Sequence, residues 1–170
     1  MSLKIVFMGT PEFSIPSLKI IKNSKHRIVG VYTQPPKKKS RGQKILKSAV
    51  HTFSENEGIN VRTNNLKDKK EFEEFKRLNP DLVIVVAFGQ IIPDNYLNHP
   101  NLFFLNLHAS LLPKWRGAAP IERAILNKDS ETGVSIMKIE KKLDTGPYIK
   151  QVKVNIHKET TSGELTEKLS

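Results

Sequence analysis

The 170-residue chain contains no cysteine, which excludes disulfides, thiolate zinc sites and a cysteine nucleophile. It also lacks any apolar run near the roughly 18 residues that span a bilayer as a helix. Its opening, Met1 to Met8, is too short and too strand-like for a signal peptide. These absences predict a cytoplasmic protein with no membrane contact. A single glycine, Gly9 in Met8-Gly9-Thr10-Pro11, stands where dinucleotide sites carry G-x-G-x-x-G, so a dinucleotide is rejected. The five histidines, His26, His51, His99, His108 and His157, form no ligand-spaced pair, and no metal is expected. Acid is missing locally. Between Glu12 and Glu55 there is none, while Lys19, Lys22, Lys25, Arg27, Lys37, Lys38, Lys39, Arg41, Lys44 and Lys47 all fall there.

What is present suffices for one ordinary domain. Hydrophobic residues make up 38% and charged residues 26%, arranged in clear apolar runs and not in low-complexity blocks, so the chain should fold around one core. A monomer is expected. The net charge of +11 suits a polyanionic partner, although a solvated lysine surface would give the same total.

Lys4 to Met8 reads as a strand, Gly9-Thr10-Pro11 as a tight turn and the following segment, with Phe13, Ile15, Leu18, Ile20 and Ile21, as a helix. Thr10 is the candidate N-cap with Pro11 in the first turn, and Pro16 leaves the start of the helix open. His26 to Thr33 is a second strand, so the chain opens as a βαβ unit, the signature of a parallel sheet covered by helices. Gln34 to Lys47 carries two prolines and six cationic residues and reads as an exposed loop. Ser48 to Asn56 reads as a short helix, Ile59 to Arg62 as a short strand, and Asp68 to Leu78 as a helix with Phe72, Phe75 and Leu78 on one stripe. Leu82 to Ala87 is continuously apolar, as a strand buried on both faces must be. Leu102 to His108 is another strand and Ala118 to Asn127 a helix. Val134 to Ile139 and Tyr148 to Val154 are strands joined closely enough to pair antiparallel. Thr161 to Glu164 has capping-box spacing and opens a last helix.

One stretch resists a packing explanation. Asn106-Leu107-His108 places an amide and an imidazole on one face of a strand, because strand side chains alternate with period two. In an open parallel sheet, the carboxyl ends of the strands line the ligand crevice. An amide there can donate to a carbonyl oxygen as it becomes an oxyanion, and an imidazole can exchange a proton with an attacking or leaving nitrogen. A carboxylate to set the imidazole tautomer and stabilise its charged form is then required. Asp144, in the turn Lys142-Leu143-Asp144-Thr145-Gly146-Pro147, is the best candidate, though 36 positions separate it from His108. Each of these residues also has an ordinary reading as a cap, turn or surface group.

Three stretches taken together carry more. Phe7 to Phe13 (F-M-G-T-P-E-F), Asn106 to Ile121 (N-L-H-A-S-L-L-P-K-W-R-G-A-A-P-I) and Thr132 to Pro147 (T-G-V-S-I-M-K-I-E-K-K-L-D-T-G-P), in this order, resemble the amino-terminal catalytic domain of the methionyl-tRNA formyltransferases, within the folate-dependent formyltransferases. The resemblance covers nearly the whole chain. It implies an α/β, Rossmann-like three-layer formyltransferase fold with a mostly parallel, mixed sheet, and Asn106, His108 and Asp144 as the catalytic set. It implies 10-formyltetrahydrofolate as formyl donor and the α-amino group of methionyl initiator tRNA as acceptor. The folate site maps onto Phe88, Gly89, Gln90 and Ile91, continuing to Ile92, and onto Ser110, Leu111, Leu112 and Pro113. For Phe88 and Ile91 core packing is an equal reading. The tRNA insertion maps onto Lys37, Lys38, Lys39, Arg41, Gly42 and Lys44, although Pro-Pro-Lys-Lys-Lys-Ser departs from the turn found there in the family. The family's carboxyl-terminal β-barrel domain lies outside these 170 residues, so residues 1–170 are expected to be a catalytic domain that breaks off before its final helices and holds tRNA less tightly. Two alternatives stay open. One is a formyltransferase acting on glycinamide ribonucleotide or an amino sugar nucleotide, and the other a silent RNA-binding fragment.

Overall fold

The computed structural model of the chain describes residues 1–39 and 44–170. Backbone contacts divide them into two compact units, Met1–Phe103 and Phe104–Ser170.

In the first unit, β1 (Lys4–Gly9) is buried along almost its whole length, as its unbroken apolar run demands. It pairs in parallel with β2 (Arg27–Tyr32) on one side and β6 (Leu82–Val86) on the other, and β2 pairs in parallel with the short β5 (Val61–Arg62). The order β5-β2-β1-β6 follows from right-handed βαβ crossovers. The crossovers carry α1 (Ile15–Lys22), α2 (Ala49–Asn56) and α3 (Lys69–Leu78). Thr10 is not the cap of the first helix. Its hydroxyl donates to the Phe88 carbonyl at 2.7 Å, a 3-10 turn at Glu12–Ser14 intervenes, and α1 begins at Ile15 with Pro16 in its first turn. Ser48 does cap α2, accepting from the His51 N–H at 3.0 Å. Along α3, Phe75 is fully buried against Tyr32 and Tyr96. A short helix that the sequence pattern does not announce, α4 (Asp94–Leu97), follows β6.

The basic segment departs from the loop expected of it. Lys37–Lys39 and Lys44–Leu46 form β3 and β4, a two-stranded antiparallel hairpin with Lys37 opposite Leu46 and Lys39 opposite Lys44. The prolines at 35 and 36 end before the first ladder position, so they remove no ladder donor. Arg41 and Gly42 lie outside the described residues.

In the second unit, β7 (Phe103–His108, from its second residue), β8 (Glu131–Lys138) and β9 (Tyr148–Asn155) form an antiparallel ladder. α5 (Pro120–Leu126) and α6 (Ser162–Leu169) complete it. The Thr161–Glu164 capping box forms as its spacing predicts. The α/β class and the antiparallel excursion near the end of the sheet are thus both observed, with three parallel pairings in the first unit and two antiparallel pairings in the second. Among the described residues no helix is long and apolar enough to cross a membrane.

Candidate functional site

The second unit brings Asn106, His108 and Asp144 onto neighbouring elements. Asn106 and His108 lie two apart on β7, opposite Met137 and Ser135 of β8. The Asn106 side-chain amide is half-buried and makes no hydrogen bond among the described residues, so its N–H groups are available to a ligand. His108 is only 6% exposed. Its Nδ1 lies 3.6 Å from Asp144 Oδ2, although the two residues are 36 positions apart. Sequence spacing could not have supplied that approach. It arises because β8 pairs with β7 and its carboxyl end then turns through 139–147, a turn closed by the Lys138 N–H, which donates to the Pro147 carbonyl at 2.9 Å.

The division of labour around the imidazole differs from expectation. His108 Nε2 stands 2.9 Å from the Trp115 carbonyl, which can only accept, so this nitrogen carries the proton of the neutral ring. Asp144, at 3.6 Å, is beyond hydrogen-bond range of Nδ1. The tautomer is therefore set by a backbone carbonyl. Asp144 is left to stabilise the ring when Nδ1 takes a second proton, since only the doubly protonated imidazole presents an N–H to both acceptors. Asp144 is itself fixed: its Oδ2 accepts from the Gly117 N–H at 2.8 Å, and its backbone adopts a left-handed conformation at φ 49°. Asp tolerates that region better than most residues. Trp115 and Ala119, at φ 57° and 55°, share it, so the chain bends sharply on both sides of the imidazole.

Asp144 borders a cleft of about 430 Å³, lined by Leu112, Pro113, Arg116 and the turn Asp144 to Tyr148; Asn106 and His108 do not line it. That volume suits a small organic ligand. Leu112 and Pro113, two of the residues expected at the folate site, line this cleft. Ser110 does not. Its side chain is fully buried, its hydroxyl donates to the Lys114 carbonyl, and its own carbonyl accepts from Ser135 Oγ at 2.6 Å, so it braces the loop from beneath. Leu111 is half-buried and points back at Gly133 of β8. Arg116 is exposed at the cleft and forms no ion pair among the described residues.

The brace also involves Ser135 and Gln151, which the sequence pattern does not mark as site residues. Ser135 Oγ also accepts from the Leu112 N–H at 3.0 Å and from Gln151 Nε2 at 2.8 Å, while Gln151 Nε2 donates to the Leu112 carbonyl at 2.9 Å. His108, Ser135 and Gln151 occupy one row across β7, β8 and β9. The available signal was a polar residue alternating with Val134 and Ile136 on an apolar strand. The Trp115 carbonyl and the Gly117 N–H are backbone groups and leave no mark in the sequence.

In the first unit, the turn after β6 contains the other expected folate residues. Phe88 is buried, as its packing reading held, while Ile91 is 86% exposed and is not a core residue. Gly89 adopts φ 78°, and its carbonyl accepts from Gln34 Nε2 at 2.5 Å; Gln90 is half-buried. Lys37 is exposed at the start of the hairpin.

Residues 3–170 match the family model described as formyl transferase. The methionyl-tRNA formyltransferase of Pelagibacter ubique is 54% identical over 172 residues, covering 100% of this chain and 56% of that protein. The methionyl-tRNA formyltransferase of Paracoccus denitrificans is 47% identical, covering 99% of this chain and 57% of that protein. The chain thus spans about half the length of the curated relatives it matches. Among solved structures, the phosphoribosylglycinamide formyltransferase of Bacillus halodurans superimposes with a TM-score of 0.78 at 24% identity, over 98% of this chain and 87% of that one. That of Anaplasma phagocytophilum gives 0.77 at 22%, over 99% and 80%. At these identities the likeness is one of fold.

Proposed function

The chain belongs to the formyl transferase family, and on that footing we propose that residues 1–170 form the catalytic domain of an enzyme that moves a formyl group from 10-formyltetrahydrofolate to the α-amino group of methionine on initiator tRNA. The observation that carries the proposal is the imidazole of His108, held by the Trp115 carbonyl at one nitrogen, with Asp144, a carboxylate that lines a ligand-sized cleft, beside the other. Relatives about half identical across the whole chain support the choice of acceptor.

The donor supplies an electrophilic formyl carbon when bound. Leu112, Pro113, Pro147 and Tyr148 offer apolar surface to a flat ring, and the backbone at Thr145 and Gly146 offers polar groups to its edge, so the cleft fits such a ligand. In the first unit, Gly89, Gln90 and Ile91 are proposed as donor-binding residues on the family resemblance, with Gly89 and Ile91 exposed. Asn106 would donate from its amide to the formyl oxygen as that oxygen gains charge. His108 Nδ1 would take the proton released by the attacking amine and return it to the departing nitrogen, with Asp144 offsetting the imidazolium charge in between. Lys37, Lys38, Lys39, Arg41, Gly42 and Lys44 are proposed to grip tRNA phosphates and backbone.

The test is acceptor choice. The chain is incubated with 10-formyltetrahydrofolate and, in parallel, methionyl initiator tRNA or glycinamide ribonucleotide, and the products are analysed by mass. Formylation of the aminoacyl end alone is expected; formylation of the ribonucleotide alone would replace the acceptor named here.

A further inference from the structure

The carbonyl that orients His108 belongs to a residue in a costly conformation. Trp115 adopts φ 57°, a left-handed backbone that is unfavourable for a residue with a Cβ, so other contacts must hold it there. They act at the far end of its side chain. Trp115 Nε1 donates to Asp129 Oδ2 at 2.7 Å. Asp129 sits in the turn after α5, with its own N–H on the Ala124 carbonyl at 3.0 Å. Its other oxygen accepts from Asn127 Nδ2 at 2.7 Å and from Lys114 Nζ at 2.8 Å, and its side chain is 5% exposed. Burial pushes the Asp129 carboxyl up, but the hydrogen bonds from Lys114, Asn127 and Trp115 outweigh it and hold the group below the ordinary aspartate range. The Lys114 ammonium also lies 5.6 Å from the centroid of the Trp115 ring. A buried, ionised carboxylate thus fixes the indole whose backbone faces the imidazole.

We propose that Asp129 is a positioning residue for His108: by anchoring the Trp115 indole it keeps the Trp115 carbonyl on Nε2, and so keeps Nδ1 as the nitrogen free to take a proton beside Asp144. The proposal rests on the formyl-transfer reading only for the use made of that proton; the tautomer is a property of the chain itself. With the anchor removed, the strained backbone at Trp115 relaxes and Nε2 loses its acceptor. Asp144 then draws the proton of the neutral ring to Nδ1, and the basic nitrogen turns away from the carboxylate.

The test reads the tautomer directly. The chain is labelled with ¹⁵N, its His108 signals are assigned with His108→Gln, and the imidazole nitrogens are observed across a pH series that extends to alkaline pH. The wild type should show a pyrrole-type Nε2 and a pyridine-type Nδ1. Asp129→Ala and Trp115→Phe, which keeps a ring but loses the indole N–H, should move His108 toward the opposite tautomer. Asp129→Asn still offers an oxygen to the indole and should retain the wild-type pattern. Formyl transfer should follow: kcat lower by about tenfold in Asp129→Ala and Trp115→Phe at similar KM, and within about twofold of wild type in Asp129→Asn. Amide spectra report whether each variant folds, and if Asp129→Ala does not, the contrast between Trp115→Phe and Asp129→Asn decides. A wild type protonated at Nδ1, or a folded Trp115→Phe that keeps the Nε2 proton, overturns the anchoring. A wild type with the expected tautomer that transfers no formyl group counts against the reaction and leaves the anchoring standing.

Discussion

At the scale of the residue, the site depends on a few groups whose neighbours leave them one role each. Asn106 has no hydrogen-bond partner for its amide among the described residues, so its removal should cost transition-state stabilisation and little packing. Asn106→Ala is expected to lower kcat by about 10²–10³ while leaving the urea midpoint almost unchanged; a large loss of stability instead would make Asn106 a structural residue. Gly146 presents the opposite case. A Cβ there would run into the Lys138 carbonyl, a backbone atom that cannot step aside, and the glycine stands two residues from Asp144. Gly146→Ala should therefore displace the 144–147 turn and lower both activity and thermal midpoint, whereas Gly58→Ala, in open space but at φ 67°, should lower stability alone. Sequence reasoning reached Asn106 and His108 through their period-two spacing. It left Asp144 a candidate, because loop closure over 36 positions has no local signature, and it missed Trp115 because the contributing atom is a carbonyl that every residue possesses.

At the scale of the element, the first unit is pinned by a buried ion pair. Glu71, in α3, accepts from Arg62 Nε and from Arg62 Nη2 at 3.0 Å, and from Asn64 Nδ2 at 2.6 Å, which fastens the short strand β5 to the helix. Burial pushes the Glu71 carboxyl up, but the bonds from Arg62 and Asn64 outweigh it and hold the group below the usual glutamate range. Because the folded value is depressed, the stability it contributes is complete above the unfolded value of about 4.3 and fades as pH falls through the folded value. Glu71→Ala should cost up to about 3 kcal/mol near neutral pH, because Arg62 keeps only the Glu74 carboxylate, 3.9 Å from its Nη1, and the difference from wild type should shrink in acid. Urea unfolding at two pH values measures both, and a gap that widens in acid would reverse the assignment. Elements with strong periodicity, such as β1, α3 and β6, were legible within a residue or two of their ends. The basic hairpin was not. Three consecutive lysines have little intrinsic strand preference, and β3 exists only because Lys37 to Lys39 find a partner in Lys44 to Leu46. α4 is a single turn behind Pro93 and has no room for an apolar period.

At the scale of the whole molecule, charge and chemistry are separate features of the chain. The excess of +11 should draw the protein to polyanions whatever its reaction, and the binding constant for tRNA should fall steeply with salt. Replacing Lys37, Lys38 and Lys39 with alanine should lower the slope of log K against log salt by roughly one for each phosphate that is no longer neutralised, while leaving formyl transfer at saturating tRNA close to wild type. Filter binding across a salt series reports the slope, and an unchanged slope would remove the hairpin from the tRNA surface. In the second unit an amide, an imidazole and a carboxylate are proposed to act on one carbonyl carbon. The most direct measurement is single-turnover formylation of methionyl initiator tRNA by wild type and His108→Ala, read by mass at the aminoacyl end. The account predicts that His108→Ala slows the transfer by about 10²–10⁴ with tRNA binding intact. Transfer at the wild-type rate by a folded His108→Ala would contradict it.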